Sequence, residues 1–492
     1  MTSPNRNLNI EFTKLFINNE WSPSTDGKVF PTFNPANEEK ICDVSEASQD
    51  DVDKAVKAAD TAFKRNSPWR SMDASGRGKI LGRVADIMEQ QKGELASIET
   101  LNTGKPYLDA VQDVEFTIDV YRYHGCLADK LSGKTIQVDG PYFSYTRPEP
   151  VGVCALILPW NYPLSIFAWK VGPALACGNT VVVKPSELSP LTALCQAAAF
   201  AEAGLPAGVL NVVNGYGPTT GAALATHPLV RKVAFTGSTA TGKKVMTMAA
   251  EGTLKKLTLE LGGKSPLVVF PDANLESAAI SCHNSIMINS GQNCCAGSRV
   301  FVHTDIYDEF VEKAVACAQN RVVGDPFDSL SANGSLISEM QMKKVLAYIE
   351  KGKAEGAKLK CGGERIGDKG FFVQPTVFSG VTDDMTIAKE EIFGPVQSIL
   401  KFTDIEDVLD RCNNTDYGLA AGVFTSDVNN ATYMAHNLKG GTTWVNCADI
   451  ITHQTPFGGF KGSGFGKELG EDAMKEYCDM KTITIQVINK NS

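Results

Sequence analysis

From Ala58 to Gln91 apolar residues recur at helical spacing, and they do so again around Val111 to Leu127. Between about 151 and 262 the pattern changes. Short apolar runs at Val153–Leu158, Thr180–Lys184, Val209–Val213, Val233–Phe235 and Leu257–Leu261 are separated by helical stretches. Runs that are apolar on both faces, alternating with helices, predict a parallel sheet covered by helices. The same rhythm returns more loosely from 265 to about 460. The tail Lys481–Asn489 alternates apolar and polar residues, as a half-exposed strand does, and could add to a sheet here or in another subunit. No internal repeat or low-complexity tract interrupts these patterns.

One apolar stretch imitates a membrane span. Val151 to Trp169 carries no charge for 19 residues. Pro159, Trp160, Asn161, Tyr162 and Pro163 break its centre with polar and helix-breaking groups that lipid does not accommodate. It reads as a buried strand (Gly152–Leu158), a loop and a buried helix, so no transmembrane segment is expected.

A chain of 492 residues has room for roughly three domains or one large α/β assembly. Its 43% hydrophobic and 21% charged residues are ordinary for a globular protein. A net charge of −9 gives no basic footprint for nucleic acid. The thirteen cysteines are scattered, and MTSPNRNLNIEFTK has no apolar leader core. Reduced thiols in the cytoplasm are the expectation, or in the mitochondrial matrix if a presequence has been removed. The six histidines are dispersed, without H-E-x-x-H or paired C-x-x-C spacing, so no metal site is expected. The nucleophile elbow G-x-S-x-G of serine hydrolases is also missing.

The stretch FTGSTATGKK, residues 235 to 244, nearly spells the mononucleotide P-loop. The residue after the lysine should be Ser or Thr, to bind magnesium; here it is Lys244, a cation that would repel the metal. A second near-match, Gly262–Gly263–Lys264–Ser265, has Thr258 where the first glycine belongs. What remains is a strand, a glycine turn and a helix start. That suits an anion at a helix N-terminus, or a turn with a purely structural purpose.

Three further stretches carry candidate chemistry. In INSGQNCCAGSRVFV, Cys294 and Cys295 sit between Gly291 and Gly297. A thiol becomes a nucleophile when it is reachable and its thiolate is stabilised by positive charge or helix-end amides; otherwise the pair is two small buried hydrophobes. In KKLTLELGGKSP, Glu260 ends an apolar run before a double glycine. Burial would raise its pKa toward that of a general base, unless a neighbouring lysine pairs with it. In ILPWNYP, Asn161 lies in a loop bounded by prolines and could donate to an oxyanion or simply shape the turn. Each is ambiguous alone; together they supply nucleophile, base and electrophilic donor.

With PWNYP, VVVKPSE, FTGSTATG, LELGGKSP, GQNCCAGSR, EEIFGPV and PFGGFKGSGFG in order, the chain resembles the NAD-dependent aldehyde dehydrogenases, in their class 1/2-like branch. The resemblance runs from FINNEW at Phe16 to the final KTITIQV. It implies an α/β aldehyde dehydrogenase fold with a Rossmann-like cofactor domain, an α/β catalytic domain and a small β oligomerisation arm. The implied boundaries are 1–127 and 151–262 for NAD binding, 263–462 for catalysis, 128–150 and 478–492 for the arm, and 463–477 for a return segment near the active site. It further implies a homotetramer, a dimer of dimers, acting on a small-molecule aldehyde without nucleic-acid or membrane partners.

By the same resemblance Cys294 is the nucleophile, with Cys295 auxiliary. Asn161 and a backbone N–H at Cys294 are the oxyanion donors, Glu260 is the base, and Lys170 and Glu468 relay protons. Ser238 matches the position that contacts the NAD pyrophosphate, which accounts for Lys244. Lys184 and Glu187 match those on the adenosine ribose, and Glu391 and Phe393 those on the nicotinamide ribose and ring. Pro159, Trp160, Gly217, Phe235, Gly237, Leu261, Gln341 and Lys344 fall at further cofactor positions. Tyr162, Trp169, Asn293, Ile451 and Phe457 match the substrate tunnel, with Phe116 at its side.

Ile288 and Ile451 stand where enzymes for trimethylammonium aldehydes often carry aromatics, and retinal-oxidising relatives tend to be small near Phe116. Broad-range aliphatic or aromatic aldehydes are therefore expected, with retinal and betaine-type aldehydes as alternatives. Other readings are a coenzyme A-acylating relative and an inactive crystallin-like structural protein; intact Cys294, Glu260 and Asn161 speak against the last.

Overall fold

The computed structural model describes residues 3–488, so Asn489, the last residue of the expected tail strand, and residues 489–492 of the expected arm lie outside the described residues. Two sheets dominate. The first has eight strands in the order Glu20–Ser22, Leu15–Ile17, Leu210–Val212, Thr180–Lys184, Val153–Ile157, Lys232–Thr236, Lys256–Glu260 and Gly464–Phe465. Its five central strands are parallel, and the flanking ones antiparallel. The five run outward in both directions from Val153–Ile157. The chain thus reverses between that strand and Lys232–Thr236, and a crevice opens beyond their carboxyl ends, where doubly wound sheets bind ligands.

These strands are buried on both faces, as their apolar runs require. Lys232 is the exception the pattern misses. Its strand starts one residue before the apolar run, and Lys232 is wholly buried because its Nζ donates to Thr258 Oγ1 (3.0 Å) and lies 4.8 Å from the centroid of the Tyr477 ring. The helical pattern from Ala58 resolves into Gln49–Phe63, Pro68–Ser71 and Ala74–Gln90. The first helix begins earlier than its apolar period shows. Ser48 and Asp51 close a reciprocal capping box over a polar first turn. Tyr107–Leu127 packs between Ala74–Gln90 and Pro163–Ala176, placing the last helix under the crevice.

The second sheet has seven strands, ordered Lys358–Cys361, Thr376–Ser379, Val396–Phe402, Arg299–His303, Pro266–Val269, Ala420–Phe424 and Thr442–Val445. All but the first pairing are parallel. The chain passes directly from the carboxyl end of Lys256–Glu260 into the amino end of Pro266–Val269, so opposite edges of the two sheets face each other. A separate antiparallel sheet joins Thr135–Ile136, Tyr142–Pro150 and Cys478–Gln486. Among the described residues no helix is long and apolar enough to cross a membrane.

Candidate active site

A cleft of about 170 Å³ lies where the two sheet edges meet. From the first sheet come Pro159, Trp160 and Asn161 after Val153–Ile157, Gly237 and Ser238 after Lys232–Thr236, and Glu260 with Leu261 at the end of Lys256–Glu260. From the second come Cys294, Glu391 and Phe393, each just ahead of a strand, and Gln341 and Lys344 on the helix Glu339–Ala354. The double glycine lets the two sides touch. A Cβ on Gly262 would stand 2.4 Å from Glu391 Oε2, and one on Gly263 would stand 2.4 Å from the Cys294 carbonyl oxygen.

At the chemical end of the cleft, Cys294 is half-buried and lines it together with Glu260, whereas Cys295 is completely buried. Burial pushes the Glu260 carboxyl up to about 7, against the opposing pull of the Cys294 hydrogen bond and the Lys170 ammonium. Glu260 Oε1 has no partner among the described residues. The Cys294 thiol is itself pushed up, first by its hydrogen bond to Cys295, then by burial and by the Glu260 charge. Positive charge or helix-end amides were the expected source of activation. The structure instead pairs the thiol with a carboxyl poised to take its proton. Lys170, on Pro163–Ala176, forms a buried ion pair with Glu468, whose other carboxylate oxygen has no partner among the described residues. Glu468 is fixed by paired backbone hydrogen bonds with Phe457 (2.7 and 2.8 Å).

The approach to Cys294 has an unusual backbone. Asn289, Ser290 and Gly291 are all left-handed, with φ of 50°, 54° and 74°. Consecutive non-glycine residues hold that conformation only when their surroundings enforce it. Asn289 Nδ2 donates to the Asn161 carbonyl (3.0 Å) and the Gln292 carbonyl (3.2 Å). Gln292 Nε2 returns to the Asn289 carbonyl (3.1 Å), and Gln292 Oε1 accepts from the Ile337 amide (2.9 Å). A Cβ at Gly291 would lie 2.1 Å from the Gly394 backbone, so glycine is required there. Asn161 Nδ2 donates to the Gln292 carbonyl at 3.1 Å. An amide carries two such N–H groups, which leaves one for an oxyanion.

Three of the cofactor candidates shape the cleft through their neighbours. Ser238 caps the helix Thr239–Ala250, its Oγ accepting from the Thr241 amide at 3.3 Å. Phe393 is held by Gln341 Nε2 on its carbonyl (2.7 Å) and meets Trp160 edge to face at 5.3 Å. Glu391 Oε1 accepts from the Gly263 amide (3.0 Å), and burial raises its pKa. A carboxylate acceptor, an aromatic clamp and an open helix N-terminus suit a nucleotide with ribose hydroxyls and a phosphate. Phe235 lies behind the cleft, its ring 2.6 Å from where a Gly237 Cβ would stand. Lys184, Glu187 and Gly217 do not line this cleft. Lys184 Nζ donates to the Pro185 carbonyl (2.8 Å) and stands 3.5 Å from Glu187. Glu187 borders a separate hollow of about 310 Å³, and Gly217 opens the short turn Gly217–Gly221.

The substrate candidates group on one side. Phe116, Trp169 and Phe457 form an aromatic row, with centroids 6.1 and 5.5 Å apart, and Tyr162 and Ile451 pack against the same core. Several participants escaped the sequence reading. His453 lies 6.4 Å from Phe116, and the buried Lys105 ammonium lies 4.2 Å from the centroid of the Tyr162 ring. Asp449 binds both Asn293 and Cys295. The Asn-Ser-Gly run at 289–291 was the one local signal of left-handed backbone. Nothing near Asp449 or Lys105 marked them.

A model of the Aldehyde dehydrogenase family matches residues 21–483. Over its whole length the chain is 53% identical to retinal dehydrogenase 2 of Homo sapiens and covers 95% of it. It is 54% identical to the mitochondrial aldehyde dehydrogenase of Homo sapiens, again covering 95%. Among solved structures, the NAD+ complex of an aldehyde dehydrogenase from Bacillus cereus matches with a TM-score of 0.95 at 47% identity, with 97% of each chain covered.

Proposed function

The chain belongs to the aldehyde dehydrogenase family, and from that membership we propose the residue roles in its reaction, the NAD-dependent oxidation of an aldehyde to a carboxylic acid. Glu260 takes the proton of Cys294, and the thiolate attacks the aldehyde carbon to give a thiohemiacetal. The oxyanion is held by the free N–H of the Asn161 side chain and by the Cys294 backbone amide. NAD, when bound, supplies the hydride acceptor. The remaining thioester is hydrolysed by a water whose proton Glu260 accepts. The Lys170–Glu468 pair carries that proton away from the base. One observation supports this reading most strongly. Of two adjacent thiols, the one beside Glu260 reaches the cleft and the other does not.

The helix end at Ser238 holds the pyrophosphate, Lys184 and Glu187 the adenosine ribose, and Glu391 with Phe393 the nicotinamide riboside. The cofactor domain is 1–127 with 151–262, the catalytic domain 263–462, and the return segment 463–477. Residues 128–150 and 478–492 assemble a homotetramer, a role favoured by exposed Phe143, Met480 and Ile485 on the three-stranded sheet. The compartment is the cytoplasm or the mitochondrial matrix. Bulky Phe116 beside the row and aliphatic Ile288 and Ile451 favour a broad range of aliphatic and aromatic aldehydes over retinal and betaine-type aldehydes. Turnover of acetaldehyde, hexanal, retinal and betaine aldehyde distinguishes these.

Replacing each thiol tests the assignment. Cys294→Ala is expected to lower kcat by at least about a thousandfold, as loss of a covalent nucleophile does, while NADH still binds by fluorescence titration. Cys295→Ala keeps most of the activity. Equal losses in the two variants would remove Cys294 from its role.

A further inference from the structure

Asp449 has no part in the roles above, yet it touches the residues on both sides of the nucleophile. It lies beyond the strand Thr442–Val445 in a left-handed conformation (φ 60°), and Trp444 Nε1 anchors its loop by donating to the Ile450 carbonyl at 2.9 Å. Asp449 Oδ2 accepts from Asn293 Nδ2 at 2.9 Å, and Oδ1 accepts from Cys295 Sγ at 3.1 Å. Cys295 Sγ also stands 3.4 Å from Asn293 Oδ1. Cys295 directly follows Cys294 in the chain, and Asn293 directly precedes it. One carboxylate therefore holds the residues on both sides of Cys294. Two adjacent thiols are alike in chemistry, so the difference in their placement, Cys294 in the cleft and Cys295 buried behind it, must be held by something.

We propose that Asp449 is the positioning residue that decides which thiol attacks, by holding the Cys295 sulfur and the Asn293 amide away from the cleft. This rests on Cys294 being the nucleophile. Burial raises the Asp449 pKa, and the hydrogen bonds from Cys295 and Asn293 oppose that rise; as a carboxylate Asp449 only accepts hydrogen bonds, so it keeps Cys295 as a donor with its proton in place. The neighbouring Cys294 pulls the Cys295 pKa down, but burial and the Asp449 charge together push it up to about 12. The Cys294 thiol is pushed up as well, so placement makes the choice: Cys295 is tied to Asp449 while Cys294 faces the cleft with Glu260.

Alkylation of the full-length enzyme by iodoacetamide, followed by peptide mapping, reads this directly. The unaltered protein should carry its label on Cys294. Asp449→Asn is expected to raise the labelled fraction at Cys295 about tenfold, the scale of losing a hydrogen bond to a charged acceptor. In a Cys294→Ala background the same change should speed Cys295 labelling by a similar factor. With Asn293 released, KM for the aldehyde should rise more than kcat falls. A merely structural aspartate would lower the melting temperature without moving the label. Asp449→Ser, which also lacks the charge, replaces Asp449→Asn if that variant does not fold. Unchanged label partition and unchanged Cys295 rate in a folded variant would overturn the proposal and leave the catalytic roles intact. Full activity in Cys294→Ala would instead overturn those roles.

Discussion

The carboxyl edge of the eight-stranded sheet and the amino edge of the seven-stranded sheet meet at one cleft, but they build their halves of it differently. On the first side, strands end in short turns and helices begin at once. Ser238 caps Thr239–Ala250, and Pro163 opens the helix after Asn161. Binding there draws on backbone N–H groups that any sequence with the right turn presents. On the second side, the run Asn289–Gly291 is left-handed and buried, and its own side chains tie it to backbone carbonyls distant in sequence, those of Asn161 and Gly334. The first half is made from secondary structure and the second from tertiary contacts. Substitutions should therefore be costliest where the two halves share a proton or a hydrogen bond, and mildest at the far end of the cofactor side.

The shared proton is that of Glu260. Glu260→Gln is expected to lower steady-state turnover by about a hundredfold, the scale of a general base. A first-turnover burst of NADH should survive, because water activation is lost more completely than acylation; stopped-flow absorbance checks this, and a missing burst would make activation of Cys294, rather than deacylation, the step that most needs Glu260. The pH dependence has a definite sign. A carboxyl raised to about 7 is protonated below that value and works as a base above it. Turnover in the unaltered enzyme should therefore climb as pH passes through 7, and this limb should vanish in Glu260→Gln.

Next in size is a substitution on the strained run. Asn289→Ala removes two hydrogen bonds from a side chain (3.0 and 3.2 Å) and leaves alanine at φ 50°. A destabilisation of about 2 kcal/mol follows from the lost bonds and the backbone strain together. Denaturant unfolding measures it. The matching change on the other edge, Ser238→Ala, loses one helix cap and should cost about 1 kcal/mol. If the two costs were equal, the contrast between the sheet edges would fail.

The same contrast sets what the sequence disclosed. The central strands were visible because doubly buried strands are apolar throughout, and Cys294, Glu260 and Asn161 stood out beside glycines and prolines that mark bends. The Lys170–Glu468 pair was reached through family resemblance alone, since it joins a helix to a segment 298 residues later. Asp449 had no signal at all. Its partner Asn293 is 156 residues away, and an aspartate before an isoleucine in a loop is an ordinary surface pattern. Lys232 was missed because a wholly buried lysine contradicts burial preference unless its partners, Thr258 and Tyr477, are known. Local pattern finds what local geometry builds, and contacts between distant segments leave no such trace.

The smallest effect is expected at Glu187, the residue proposed to select between cofactors. Its carboxylate stands 3.5 Å from Lys184 Nζ, and a third of its side chain is exposed. An acidic residue at this place accepts from the adenosine ribose hydroxyls and repels a 2′-phosphate. Lys184 offsets part of that repulsion. NAD should therefore be favoured over NADP clearly but not absolutely, and Glu187→Gln should narrow the kcat/KM ratio by improving NADP use. Charge interactions at partly exposed groups are worth about 1 kcal/mol or less, so the change should be no more than about fivefold. It should also shrink as salt is added, because exposed charges are screened. Equal efficiency with both cofactors in the unaltered enzyme would refute Glu187 as the discriminating group. A loss of NAD use larger than that of Glu260→Gln would erase the proposed gradient along the cleft.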